Sequence, residues 1–188
     1  MNIVESIKEY VPCCEQEARD KEVILDYILK NPGCFERSDP IAHVTASSWV
    51  VNPERTKVLM VYHRIYDSWS WTGGHADGEK DLLSVAMREC REETGVKNVR
   101  AVSGGIYSLE VLNVEGHEKR GAYVPSHLHL NVTYLLEADE GEELRVCEDE
   151  NSGVRWFTLD GALAASTEPW FVERVYSKLN AKLAAMKN

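Results

Sequence analysis

The sequence predicts an α+β fold, a sheet packed against helices with a helical segment ahead of it. Residues 42–51, 57–63 and 127–138 are strand-like runs rich in Val, Leu, Thr and aromatic residues. Leu83, Ala86, Met87 and Cys90 recur at helical spacing, and apolar side chains do so over 169–186 and 4–31.

Taken in order, residues 4–31 carry a strongly apolar stretch at Ile24, Leu25, Tyr27, Ile28 and Leu29. Asn31-Pro32-Gly33 ends it, because proline lacks a donor and glycine permits unusual dihedrals. Strand 42–51 follows, Asn52-Pro53-Glu54-Arg55 turns the chain, and 57–63 runs back. A glycine-rich loop, 72–78, leads into the helix that ends near Gly95. Residues 99–114 and 127–138 read as strands, with 115–126 a polar loop containing Gly116, Gly121 and Pro125. A short strand, 154–158, precedes a short helix, 159–165. The tail places Val172, Tyr176, Leu179 and Leu183 at helical spacing. There is no internal repeat. The expected division is an N-terminal helical extension over 1–40 and one domain over 41–188.

At 188 residues the chain is long enough for a sizeable core. A formal charge of −10 disfavours a broad grip on nucleic acid, capped RNA included, or on anionic membranes. No apolar run approaches the roughly 18 residues of a membrane span. The first residues lack a basic leader before an apolar core, so the expectation is a cytoplasmic protein. The five cysteines, Cys13, Cys14, Cys34, Cys90 and Cys147, show no zinc-type spacing. Reduced thiols are expected, with Cys90 a small core residue.

The chemistry concentrates at 88–96, Arg-Glu-Cys-Arg-Glu-Glu-Thr-Gly-Val. Successive helical residues are about 100° apart, so Glu89, Glu92 and Glu93 fall on one arc. Leu83, Ala86, Met87 and Cys90 fill the neighbouring arc and are expected to bury against a sheet. Like charges so placed repel unless a cation neutralises them. An all-oxygen set suits a hard divalent ion.

With Gly74 ahead of it, this segment resembles the Nudix box: Gly74, Arg88, Glu89, Cys90, Glu92, Glu93, Gly95 and Val96 stand in register. One position departs, because Lys80 occupies the place of the box's first glutamate, between Glu79 and Asp81. The resemblance implies an α/β/α sandwich around a central mixed sheet. It also implies a metal-dependent pyrophosphohydrolase that cleaves a nucleoside diphosphate linked to another moiety. The implied cofactor is Mg2+ or Mn2+, held by Glu89, Glu92, Glu93 and the Gly73 carbonyl. Arg88 would hold the carboxylates in place. The general base would be a box glutamate or a later acid, for which Glu150 is the candidate beside Glu148 and Asp149. The partner would be a small molecule, with a second copy of the chain as a further candidate, since homodimers are common in the family.

Substrate-side residues are expected at His75, directly after the glycines, and at His127 and His129, which share a strand face. A same-face histidine pair also suits a metal. Trp69, with Tyr66 and Trp71, offers a stacking wall for a base. Arg64, Lys119 and Arg120 are loop cations that a phosphate can meet.

Two other readings have support. The segment from His63-Arg64 to Gly74-His75 is similar to the Nudix-fold isopentenyl diphosphate isomerases, but those carry a cysteine where Gly73 stands. A non-catalytic nucleotide or nucleotide-sugar sensor fits the altered Lys80, whereas such sensors tend to lose the glutamates kept here.

Overall fold

The computed structural model of the chain describes residues 2–119 and 121–186, the side chain of Lys119 apart. Two helices come first, α1 (Ile3–Glu9) and α2 (Glu15–Lys30). The continuous helical run expected over 4–31 is therefore broken, and the break holds Pro12, which cannot continue a helix. A 3-10 turn, Pro32–Phe35, leads to the sheet.

Among the described residues, eight strands form one mixed sheet. They are β1 (Ala42–Val51), β2 (Lys57–His63), β3 (Ser68–Ser70), β4 (Thr72–His75), β5 (Arg100–Ala101), β6 (Ser108–Val114), β9 (His127–Glu137) and β10 (Asn151–Thr158). Between β6 and β9 the hairpin β7 (His117–Lys119) and β8 (Ala122–Val124) stands apart, so the loop expected there is partly strand. The main order is β10-β2-β1-β9-β5, with β3 on β2, β4 on β1 and β6 on β9. Among the described strands only β1 and β9 run parallel, pairing His43 with His129 and Thr45 with Asn131. The single strand expected over 99–114 is two, separated by a bend that contains Gly104 and Gly105.

The strand period of two sends alternate side chains to opposite faces and so builds two cores. Val44, Ala46 and Val50 of β1 join Leu130, Val132 and Leu136 on one face. Ile3, Ile7, Ile24 and Ile28 of α1 and α2 pack there, with Leu82, Val85, Ala86 and Cys90 of α3 (Leu82–Thr94). Trp49, Val51, Met60 and Leu135 face the other way. That side is covered by α4 (Leu159–Ala165) and by a C-terminal helix built from α5 (Pro169–Phe171), a π turn (Val172–Tyr176) and α6 (Ser177–Ala185). Ala162, Val175, Tyr176, Leu179 and Leu183 fill it. No helix of the described residues is long and apolar enough to cross a membrane.

The second face is not apolar throughout. Toward β6 it carries Thr45, Ser47, Asn131, Thr133 and Glu110, joined through hydrogen bonds of 2.7–3.0 Å. Ser108 links Glu110 to Glu17 of α2, and Lys178 and Lys182 of α6 neutralise the pair at 3.0 and 2.8 Å. Buried carboxylates persist only when paired and hydrogen-bonded, and this network meets that condition. It fastens α2 and α6 to the same strand.

Candidate active site

Helix α3 starts where the Asp81 carboxylate accepts the Ser84 amide at 3.2 Å. It ends at Gly95, whose φ of 77° is the left-handed conformation that a glycine adopts without penalty. Its buried stripe is Leu82, Val85, Ala86, Cys90, Glu93 and Thr94, with Leu83 and Met87 half-buried. The three glutamates of that helix differ in burial. Glu93 continues the buried stripe, Glu89 is intermediate and Glu92 is exposed, so the three spread from core to solvent.

Glu89 and Glu93 nonetheless converge, and Glu150 joins them from the loop ahead of β10. One carboxylate oxygen of each lies within 4.8 Å of the others, a set able to hold a metal ion. Glu92 is close enough to push the acidities of both Glu89 and Glu93. Burial is the main cause that raises Glu93 well above the usual carboxylate range. Glu89 and Glu150 add to that, and a hydrogen bond from the Gly73 amide works against it. Burial also raises Glu89, against the pull of Arg88. The Arg88 guanidinium donates to Glu89 Oε1 at 3.0 Å.

Gly73 and Gly74 are present because there is no room for a side chain. A Cβ on Gly74 would sit 2.5 Å from Glu89 Oε2, and one on Gly73 would sit 2.8 Å from the Ala46 carbonyl oxygen. The second clash also removes the place of the isomerase cysteine.

Several residues that build the site carried no sequence signal. Asn151 is buried, and its amide donates to the Glu93 carbonyl at 2.9 Å while its Oδ1 accepts the Cys147 amide at 3.3 Å. Those bonds tie the Glu150 loop to the end of α3. Arg37, from the segment after the 3-10 turn, pairs in bidentate fashion with Asp77, with one bond of 2.6 Å. It feels the charges of Glu89 and Glu150, which help to raise its already high pKa after the Asp77 bond. His43 on β1 completes a histidine group described below.

Lys80 meets the segment that precedes the sheet. Its ammonium lies 5.7 Å from the centre of the Phe35 ring, and its amide donates to Glu79. Nearby, the Gly78 amide donates to the Phe35 carbonyl at 2.9 Å. The chain ahead of the sheet therefore folds back over the loop that precedes α3.

His75, His127 and His129 come together with His43, ring centres 4.7–5.1 Å apart where they touch. They lie at the β4 end of the second sheet face, one residue from Gly74. Trp69 does not join either group; its ring packs edge-on against Tyr62 and Phe157, at 5.4 and 4.9 Å. Trp71 is buried against Tyr176, and Tyr66 stacks on His63. Arg64 donates to the Asn151 carbonyl at 3.3 Å. Arg120 and the Lys119 side chain lie outside the described residues. The cysteines are free thiols, with Cys90 and Cys34 buried and Cys13 and Cys14 exposed.

A mixed sheet between helical layers, with clustered glutamates at the end of one helix, defines a Nudix-type domain. The family model for the NUDIX domain matches residues 42–179, and the chain belongs to that family. It is 31% identical over 119 residues to an m7GpppN-mRNA hydrolase, NUDT17, of Xenopus laevis, across 61% of this chain and 38% of that protein. It is 25% identical over 145 residues to a probable DHNTP pyrophosphohydrolase of Lactococcus lactis subsp. cremoris (strain MG1363), across 75% of this chain and 81% of that one. The chain thus spans well under half the length of the first of these relatives. Among solved structures, a C. elegans Ap4A hydrolase binary complex superposes with a TM-score of 0.54 at 16% identity. That match covers 76% of this chain and 97% of the other, and shows the shared fold.

Proposed function

We propose that this protein is a divalent-metal-dependent pyrophosphohydrolase acting on a nucleoside diphosphate linked to a further group. The observation that carries the reading is the convergence of Glu89, Glu93 and Glu150 within 4.8 Å. Glu93 Oε2 is buried with no hydrogen-bond partner, so the set has an oxygen that a cation would satisfy. An all-carboxylate donor set with a main-chain carbonyl fits Mg2+ or Mn2+. Glu89 and Glu93 would hold the ion, with the Gly73 carbonyl beside them and Glu92 on the solvent side.

A bound divalent ion supplies Lewis acidity to the P–O–P oxygens and lowers the pKa of a water. The protein's own groups do the remaining work. Glu150, the exposed member of the set, accepts the proton of the attacking water on a carboxylate oxygen. Arg88 holds Glu89 in its orientation. His75, His127 and His129 form the substrate-side wall next to Gly74, and Trp69 stands further out as a pocket wall. Residues 1–40 act as an extension folded onto the domain at 41–188. The shared core through Ile7, Ile24 and Ile28 supports this. We take the reaction to be cytoplasmic, with a small-molecule substrate.

The test is product release from a panel of nucleoside diphosphate derivatives, with Mg2+ or Mn2+, for the wild type and for Glu92→Gln and Glu93→Gln. Cleavage that needs both metal and carboxylates supports the reading. Tight binding of one panel member without cleavage favours a sensor instead.

A further inference from the structure

We propose that His43, His75 and His129 form a second metal site, which takes a divalent transition ion of the Zn2+ class through imidazole nitrogens. The site is separate from the carboxylate set and does not rest on the hydrolase reading. Its residues come from three neighbouring strands. His43 and His129 are register partners on β1 and β9, and His75 lies on β4 opposite Thr45, two residues further along the same face. One ring nitrogen of each of these histidines lies within 4.8 Å of the others. Two nitrogens on one tetrahedral ion, bonded at about 2.0–2.1 Å, are roughly 3.3 Å apart, so small ring rotations close the set.

The arrangement of donors is what separates a metal site from stacked rings. His43 is 4% exposed, and its Nε2 has no hydrogen-bond partner. Its Nδ1 lies 3.3 Å from the Asp39 main-chain carbonyl, to which only an N–H can donate. That bond leaves the lone pair on Nε2, inside the group. Burying such an atom without a partner is unfavourable, and a ligated ion would satisfy it. Asp39 is itself held in place, by the Tyr27 hydroxyl and by the Ile41 and Ala42 amides.

His127 plays the same outer part for His129. Its Nδ1 donates to the Pro125 carbonyl at 2.8 Å, which turns its Nε2 toward His129. The His129 Nε2 lies 3.2 Å from that atom, and in the proposed site its N–H donates there, which leaves Nδ1 to ligate. Histidine ligands usually donate their second ring N–H to such an acceptor, which fixes tautomer and orientation. Burial, and then the neighbouring imidazoles, pull His129 down to about 2, and burial lowers His43 as well. Both shifts favour the neutral form, which is the form that ligates. Three imidazoles with a position left open is the donor count of a catalytic zinc site.

The experiment is titration of the full chain with Co2+, in excess Mg2+, followed by visible absorption. The chains compared are the wild type, Glu89→Gln/Glu93→Gln, His43→Gln and His129→Gln. The expected result is one ion per chain with the intense bands of a low-coordinate, nitrogen-ligated cobalt. Those bands survive in the carboxylate variant and vanish in both histidine variants. Their affinity loss should exceed the roughly 10–100-fold typical of outer-shell changes. Bands that persist in the histidine variants, or that disappear with the carboxylates, overturn the proposal. Should His43→Gln fail to fold, His75→Gln on the half-buried β4 decides the same question. Loss of Mg2+-dependent turnover in the carboxylate variant reports on the hydrolase reading alone, so the two can fail separately.

Discussion

The side-chain amide of Asn151 donates to the main-chain carbonyl of Glu93 across 2.9 Å. The last carbonyls of a helix lack partners within it, and this one is satisfied by the residue that follows Glu150. A structural bond at the end of α3 therefore also sets where the third carboxylate stands.

Asn151→Ala should release that loop. The expected effect is a fall in kcat of roughly 10–100-fold, the usual penalty for a misplaced reacting group. Stability should fall by about 1–3 kcal/mol, because a buried carbonyl loses its donor. Steady-state kinetics and denaturant melts check both; an unchanged kcat would mean that Glu150 has no part in turnover.

Glu93→Gln is expected to separate stability from activity. It removes one of three crowded carboxylates, so the metal-free protein should melt a few degrees higher. Mg2+ should no longer raise the melting temperature. A lower melting temperature for the metal-free variant would show that Glu93 is not strained in the absence of the ion.

Lys80 packs over Phe35, so Lys80→Ala should lower stability by only about 0.5–1 kcal/mol. Metal dependence should be unaffected. Loss of turnover in this variant would instead make Lys80 part of the support for Arg88.

The Glu17 network predicts an acid limb. Burial opposes the charge on Glu17, but the Cys13 amide, Lys182, Tyr10 and Ser108 outweigh it and hold its pKa at about 2 against an ordinary 4.5. A depressed carboxylate stabilises the fold fully above its ordinary pKa and loses that contribution as pH falls through the folded value. The window is therefore from about 4.5 down to about 2, and the contribution is on the order of 3 kcal/mol. Denaturant melts at pH 7 and pH 3 should show Glu17→Gln weaker at pH 7 and flatter toward pH 3. An acid limb that is unchanged in the variant would contradict this account.

The parts of the site that local spacing controls were legible in the sequence. The box helix, its glycines and the apolar stripe at Ala86 and Cys90 follow from the 3.6-residue period and from turn chemistry. Glu150, with Glu148 and Asp149, enters as a candidate through the family resemblance, and the structure sets Glu150 beside Glu89 and Glu93. The unequal burial of Glu92 and Glu93 was not legible, because the stripe through Leu82, Ala86 and Cys90 carries on to Glu93 and buries it. His43, Asn151 and Arg37 were not legible. His43 reaches His129 only through the parallel register of β1 and β9, which no local pattern specifies. Asn151 and Arg37 act through contacts between segments 58 and 40 residues apart.

The central claim is that Glu89 and Glu93 hold a divalent ion for P–O–P cleavage and that Glu150 takes the proton of the attacking water beside it. The most direct measurement is the rate of cleavage of one panel substrate against Mg2+ concentration, for the wild type, Glu93→Gln and Glu150→Gln. The account predicts saturation with Mg2+ in the wild type and in Glu150→Gln, the latter at a much lower plateau, and no saturable activity in Glu93→Gln. Equal Mg2+ curves for all three proteins, or full activity in chelator, would contradict it.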